Sequence, residues 1–490
     1  MPVTRREFLT LSGLAAASAL LTACVPGRAL PGAPPPPAGP WPAGPDATWP
    51  ALSRLTFGPR LDERAHAAAI GQDAWIEEQL APESLADAEA EWRVRHFDTP
   101  GMDTSILFDV REETVRRELQ QVTLLRAVYS RRQLYEIIVD FWSDHFSIST
   151  HKGTCAWLKT IDDRAVIRPQ ALGSFRDLLW ASMHSPAMLV FLDNQENYKD
   201  GSNENYAREL LELHTLGVGA GYTQQDVQEV ARCLTGWTVD RGLFRGQFQF
   251  DAGRHDAGAK RVLGQAIPAG GGAQDGERVH ALVLAHPALP HFIARKLVQR
   301  LVADDPPAAL VAAAAATFTR TQGDIKAVLR TILHGAAFAT APPKIKRPLH
   351  YVAGALRQLA AETDAAPALL TALAAMGQPL FQWPRPDGFP DTAAAWQANL
   401  FPRWQFALAL ATGALPGVTI DLRALLRVAG PAGAATMAAV LDHFSTRLLG
   451  RPLPRPAVEA LLPHLGQDTD DTGLQAAVAV LLAGPAYQWR

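Results

Sequence analysis

The sequence predicts a mainly α-helical protein, a large multi-helix body with a small β-hairpin insertion. Three observations carry that prediction. From Leu52 onward, apolar residues recur three and four apart in segment after segment, the spacing of helices that bury one face. One stretch, Phe244 to Leu263, alternates apolar and polar residues as strands do. Apolar residues make up 48% of the 490-residue chain, enough for a substantial core.

The N-terminus comes first. Thr4-Arg5-Arg6-Glu7-Phe8-Leu9 sets paired arginines before the uncharged run Leu11 to Ala23, which closes in Leu21-Thr22-Ala23-Cys24. The arginine pair reads as a twin-arginine export signal, and the Leu-Thr-Ala-Cys ending as a lipobox whose Cys24 takes lipid. The uncharged run is shorter than the roughly 20 residues that span a bilayer. The expected route is folding in the cytoplasm, passage through the twin-arginine export machinery, and lipid anchoring to the membrane on the periplasmic side. Residues 25–50, with Pro34 to Pro37 consecutive, read as an extended spacer. Residues 51–415 are expected to form the helical core domain and 416–490 a C-terminal helical subdomain.

Within the body, Glu112 to Trp142 carries helical periodicity through Leu134, Ile138 and Phe141. Thr223-Gln224-Gln225-Asp226 has capping-box spacing before a helix to Leu234, which Gly236 ends. Ala308 to Phe318, Asp324 to Leu333, Leu349 to Ala361 and Trp404 to Ala411 are further helices. Phe244, Phe248 and Phe250, a turn-like Asp-Ala-Gly and then Arg261-Val262-Leu263 predict the hairpin. Met376 to Asp391 is irregular, and Phe381, Trp383 and Phe389 are candidates to line a pocket there.

Composition narrows the chemistry. The formal net charge is −3, and the first 24 residues contribute +1 through Arg5, Arg6 and Glu7, so the remainder is mildly acidic. That argues against nucleic acid as a partner. Of three cysteines only Cys155 and Cys233 follow Cys24, far from a disulfide framework. There is no Walker A motif, Rossmann glycine fingerprint, Gly-x-Ser-x-Gly elbow or His-Glu-x-x-His.

The densest polar cluster is Asn203-Glu204-Asn205-Tyr206-Ala207-Arg208-Glu209-Leu210-Leu211-Glu212-Leu213-His214. On a helix Glu204, Asn205, Arg208, Glu209 and Glu212 share one arc. A solvated, salt-bridged ridge explains it. So does a carboxylate site, with Glu204, Glu209 and Glu212 able to hold a divalent metal or share a proton. His145 extends the stripe Leu134, Ile138, Phe141 and should face inward, where its ring needs a partner. A carboxylate from the 204–212 segment would create an acid–base or metal site; a backbone carbonyl would make it a satisfied core residue. His255, Asp256 and Lys260 crowd the expected hairpin tip, either as a reactive loop or as turn chemistry.

These motifs resemble the bacterial domain of unknown function 1800 family. The residues that carry the resemblance are Arg54-Leu55-Thr56-Phe57-Gly58-Pro59, Phe141-Trp142-Ser143-Asp144-His145-Phe146, the 203–213 block, Gly221-Tyr222-Thr223, Leu234-Thr235-Gly236-Trp237, His255-Asp256-Ala257-Gly258-Ala259-Lys260 and Met376-Gly377-Gln378-Pro379. The resemblance implies export, and a neighbouring exported, sulfatase-like protein as a candidate partner. It raises the functional reading of His145, Glu204, Arg208, Glu209, Glu212, His255, Asp256 and Lys260, but implies no reaction. Two expectations follow: an envelope hydrolase with a carboxylate, histidine and arginine site, or a non-catalytic partner or scaffold for another exported protein.

Overall fold

A computed structural model describes residues 47–242, 245–427 and 436–490. The paired arginines, Cys24, the spacer up to residue 46 and Phe244 lie outside the described residues. What is described is mainly helical, with three two-stranded antiparallel pairs. No helix among the described residues is long and apolar enough to cross a membrane.

The central element is the helix Pro348–Gln358, buried at every position. Proline at its first position loses no needed N–H, and Gly354 lets the backbone of Phe57 and Gly58 lie against it. A Cβ on Gly354 would stand 2.6 Å from the Phe57 carbonyl oxygen. The polar groups of so buried a helix must find partners inside. Arg357 gives its protons to the carbonyls of Gly58 (2.7 Å) and Val128 (2.6 Å) and to Glu63.

Around this helix the expected elements form with shifted ends. Glu112–Tyr129 and Gln133–His145 are two helices, separated at Ser130–Arg132. Thr223 caps Gln224–Cys233 with the reciprocal Thr223–Asp226 pair. Ala308–Arg320, Ile325–Leu333 and Phe401–Ala411 follow the predicted periodicity. The 203–214 segment differs: Asn205–Glu209 is α-helical, but Leu210–Thr215 widens into a π-helix.

The β region is two hairpins rather than one. Trp237–Val239 pairs with Phe248–Phe250, and Lys260–Val262 with Gln265–Ile267. Leu263 and Gly264 both take positive φ (49° and 78°), the geometry of a tight two-residue turn. That turn closes the second hairpin locally, so Arg261-Val262-Leu263 never reaches Phe248–Phe250. The 255–259 segment is therefore the connector between hairpins and Lys260 opens the second, so neither is a hairpin tip.

The C-terminal stretch shares the main core. Glu362–Thr363 pairs with Val418–Thr419, and Tyr351 on the central helix bonds the Leu482 carbonyl (3.0 Å). Arg403 reaches Gln488 (3.0 Å), and Lys344 and Arg490 exchange backbone hydrogen bonds.

Candidate functional site

The helix Gln133–His145 carries two opposed rows. Leu134, Ile137, Ile138, Phe141 and Trp142 enter the core. Glu136, Asp140, Ser143 and Asp144 follow at intervals of four, three and one, a second face of the same helix. That face is not solvated. It meets Arg168 on one side, and Arg300 and Arg347 on the other.

Arg168 binds Glu136 bidentately, with both bonds at 3.0 Å, and gives its Nε proton to Asp163 (2.8 Å). Arg300, from the helix Ala288–Leu301, bridges Asp140 and Asp391. Arg347 lies 2.6 Å from Asp144 and 3.4 Å from Asp391. Both arginines are almost fully buried, so their charges require these carboxylates. Between the two ionic groups lies a cavity of about 30 Å³, room for ordered water but not for a substrate. Glu136, Asp140, Ser143, Asp144 and Asp163 line it, and Phe381, Trp383 and Phe389 close it.

Two carboxyls on this cavity are pushed in opposite directions. Burial, with Asp140 alongside, raises Asp144 well above the usual carboxylate range. Burial alone would raise Asp163 too, but Arg168, Arg126 and Lys159 hold it below that range. Ser143 Oγ, Asp144 Oδ2 and Asp163 Oδ1 are buried without a hydrogen-bond partner. Arg347 Nη1 lies close to Asp144 Oδ2 but off the direction of a hydrogen bond.

The expected site residues are distributed differently. His145 donates from Nε2 to the His214 backbone carbonyl (3.0 Å), within a ring of Phe141, Trp142, Phe146 and Phe175. Its partner is a carbonyl, because the helix turns its carboxylate face elsewhere. Burial drives His145 well below its ordinary value, and His214 down to about 3. Arg208 is held by Glu204 (3.1 Å), Gln224 (2.9 Å) and Glu212 (3.6 Å), a half-exposed ridge. Glu209 stands outside those bonds, raised by burial, by Glu212 and by Asp387 of the 376–391 segment. Glu204, Glu209 and Glu212 do not converge: among the described residues no group of three His, Cys, Asp or Glu side chains could hold a metal ion. The reason is that Arg208 and Gln224 draw Glu204 and Glu212 to themselves.

His255, Asp256 and Lys260 are tied into the fold. Lys260 is fully buried on Asp275 (2.8 Å), which also meets His255 Nε2 (3.3 Å). Arg232 clasps Asp256 through two bonds, at 2.8 and 3.2 Å. None of the three lines the Asp144–Asp163 cavity. Trp383 and Phe389 do line the cavity, but Trp383 is covered by Phe389 (5.0 Å) and by Arg385 (5.1 Å).

Sequence reasoning missed Asp140, Asp144, Asp163, Arg300, Arg347 and Asp391. The signal for the first two was present, since Asp140 and Asp144 sit four apart beside His145. Nothing local pointed to the arginines more than 150 residues away. A family model described as protein of unknown function (DUF1800) matches residues 50–489. No curated protein and no solved structure matches the chain.

Proposed function

The chain belongs to the DUF1800 family of proteins of unknown function, and from that premise we propose an exported, membrane-tethered envelope hydrolase working at the Asp144–Asp163 cavity. The observation that carries the reading is one small cavity lined by a carboxyl pushed up and a carboxyl pushed down. Groups separated in this way take the roles of acid and base. Asp144, protonated, gives a proton to the leaving group; Asp163, ionised, takes one from the attacking water. Arg300 and Arg347 fix the geometry of Asp140 and Asp144. A substrate enters only when the Phe381–Phe389 segment moves off the cavity. Export and the lipid anchor at Cys24 rest on the N-terminal motif, and the acidic balance favours no nucleic acid.

The test is a digest of isolated envelope polysaccharide and peptidoglycan, read by mass spectrometry. Wild-type protein should release new products. Asp144→Asn and Asp163→Asn should each lower their rate by roughly a hundredfold or more while keeping the native circular dichroism. Envelope left unchanged by wild-type protein, or variants as active as wild type, would overturn the reading.

A second reading has its own support. The ridge of Glu204, Arg208, Glu212 and Gln224 is partly exposed and paired within itself, which suits a partner surface for another exported, sulfatase-like protein. Pull-down from the envelope fraction with Arg208→Glu as control distinguishes it.

A further inference from the structure

A second cavity lies where the helices Trp49–Leu55 and Pro348–Gln358 meet the C-terminal residues. A short antiparallel contact sets its walls. Ile345 bridges Trp489, and the Lys346 N–H donates to the Gln488 carbonyl (2.7 Å). The Arg490 backbone oxygen is taken by the Lys344 N–H (2.9 Å), and the Arg490 N–H returns a bond to Lys344 (2.8 Å). This ladder brings Lys346, Trp489 and Arg490 to one cavity, which they line with Ser53 and Gln358. The three are buried, at 6%, 5% and 3% exposure.

The lining is positive and rich in donors. No aspartate or glutamate contributes to it. Trp489 Nε1 and Arg490 Nε are buried without a hydrogen-bond partner among the described residues. Arg490 makes one side-chain bond, from Nη1 to the Arg54 carbonyl (3.1 Å). The Lys346 amine rests on the Tyr487 ring, 3.3 Å from its centre, and no carboxylate acts on it. Ser53 and Gln358 spend their donors on backbone carbonyls, those of Pro50 (3.2 Å) and Leu448 (3.0 Å). The carboxylates that act on Arg490, Asp391 and Asp140, are already held by Arg300.

A charge taken out of water is costly unless an opposite charge meets it. Here two cations share a cavity with no anion from the protein. A water would satisfy the N–H groups but leave both charges uncompensated. The volume, about 10 Å³, admits a single particle about the size of water. Phosphate, sulfate and carboxylate ligands are too large, and a monatomic anion is not.

We propose that this cavity is a structural halide site, which holds one chloride ion among the Lys346 amine, the Trp489 indole N–H and the Arg490 guanidinium. The ion supplies the missing negative charge and fastens the C-terminal ladder to the helix Trp49–Leu55. No bond is made or broken. The inference rests on this cavity and does not depend on the hydrolase reading.

Two measurements on the full wild-type chain test it. In crystals soaked in sodium bromide, an anomalous peak should stand in the cavity beside Lys346, Trp489 and Arg490. In solution at constant ionic strength, sodium chloride replaces sodium gluconate. The melting temperature should then climb by an equal step for each tenfold rise in chloride above its dissociation constant. A bromide peak without that chloride dependence would mark an adventitious ion only and overturn the proposal. Chloride dependence without a peak in this cavity would also overturn it. So would an ordered water there that bromide does not replace, since Lys346 would then have shed its proton instead.

Discussion

At the scale of single residues, two arginines of the same formal charge differ in what they sustain. Arg300 is buried and bridges Asp140 and Asp391, whereas Arg208 is half-exposed among Glu204, Glu212 and Gln224. Removing one partner of a buried network leaves charges unpaired at a cost of about 3–5 kcal/mol, while an exposed pair contributes about 1 kcal/mol or less. Urea denaturation of Arg300→Leu and Arg208→Ala should reproduce that contrast; similar losses would mean that the cavity network is solvated. His214 makes a pH prediction. Its ring is neutral in the fold, down to about 3, because burial disfavours the charge. The unfolded chain takes up that proton below about 6.5. Stability should therefore fall as pH drops from 6.5 toward 3, by about 1.4 kcal/mol per unit for this group. Asp144 acts in the opposite sense, losing stability as pH rises above 3.8, because its folded value is raised. His214→Phe should flatten the slope between pH 6.5 and 5, seen in urea midpoints.

At the scale of elements, the segment closing the cavity depends on Gly388. It takes φ of +73°, and a Cβ there would lie 2.2 Å from the Asp144 carbonyl oxygen. Gly388→Ala must push the segment off the helix Gln133–His145 or distort both. The expected outcome is a loss of at least about 1 kcal/mol and faster proteolysis between Phe381 and Asp391; unchanged proteolysis would show that the segment tolerates the shift. The π-helix Leu210–Thr215 shows why the 203–214 block could be read only in part. Its polar ridge followed from i,i+4 spacing, and Arg208 does bind Glu204 and Glu212. The widened turn was not legible, because it is set by packing of Leu210, Leu211 and His214 in the core. The hairpins teach the same lesson. Alternation in Phe248–Phe250 marked a strand, but pairing depended on a turn at Leu263–Gly264.

At the scale of the whole molecule, residues 416–490 are bound to the rest through Tyr351, Arg403 and the Lys344–Arg490 ladder. Thermal unfolding of the full chain should show one cooperative transition, and truncation after residue 415 should abolish it. Two separate transitions would instead support an independent C-terminal unit. The N-terminal expectation is tested in cells. Arg5→Lys with Arg6→Lys should retain the protein in the cytoplasm, and Cys24→Ala should release it from membranes after fractionation.

By itself the sequence determined the helical class, most helix positions and the capping of Gln224–Cys233, because these depend on periodicity and neighbours within a few residues. It also marked Asp140–His145 as a motif, though it drew attention to the histidine rather than the aspartates. Only the tertiary structure decided that His145 serves the core, that Lys260 is locked on Asp275, and that Asp140, Asp144 and Asp163 meet Arg168, Arg300 and Arg347 around one cavity. Those partners are brought together by burial, whose energy depends on which surfaces meet and not on their distance along the chain.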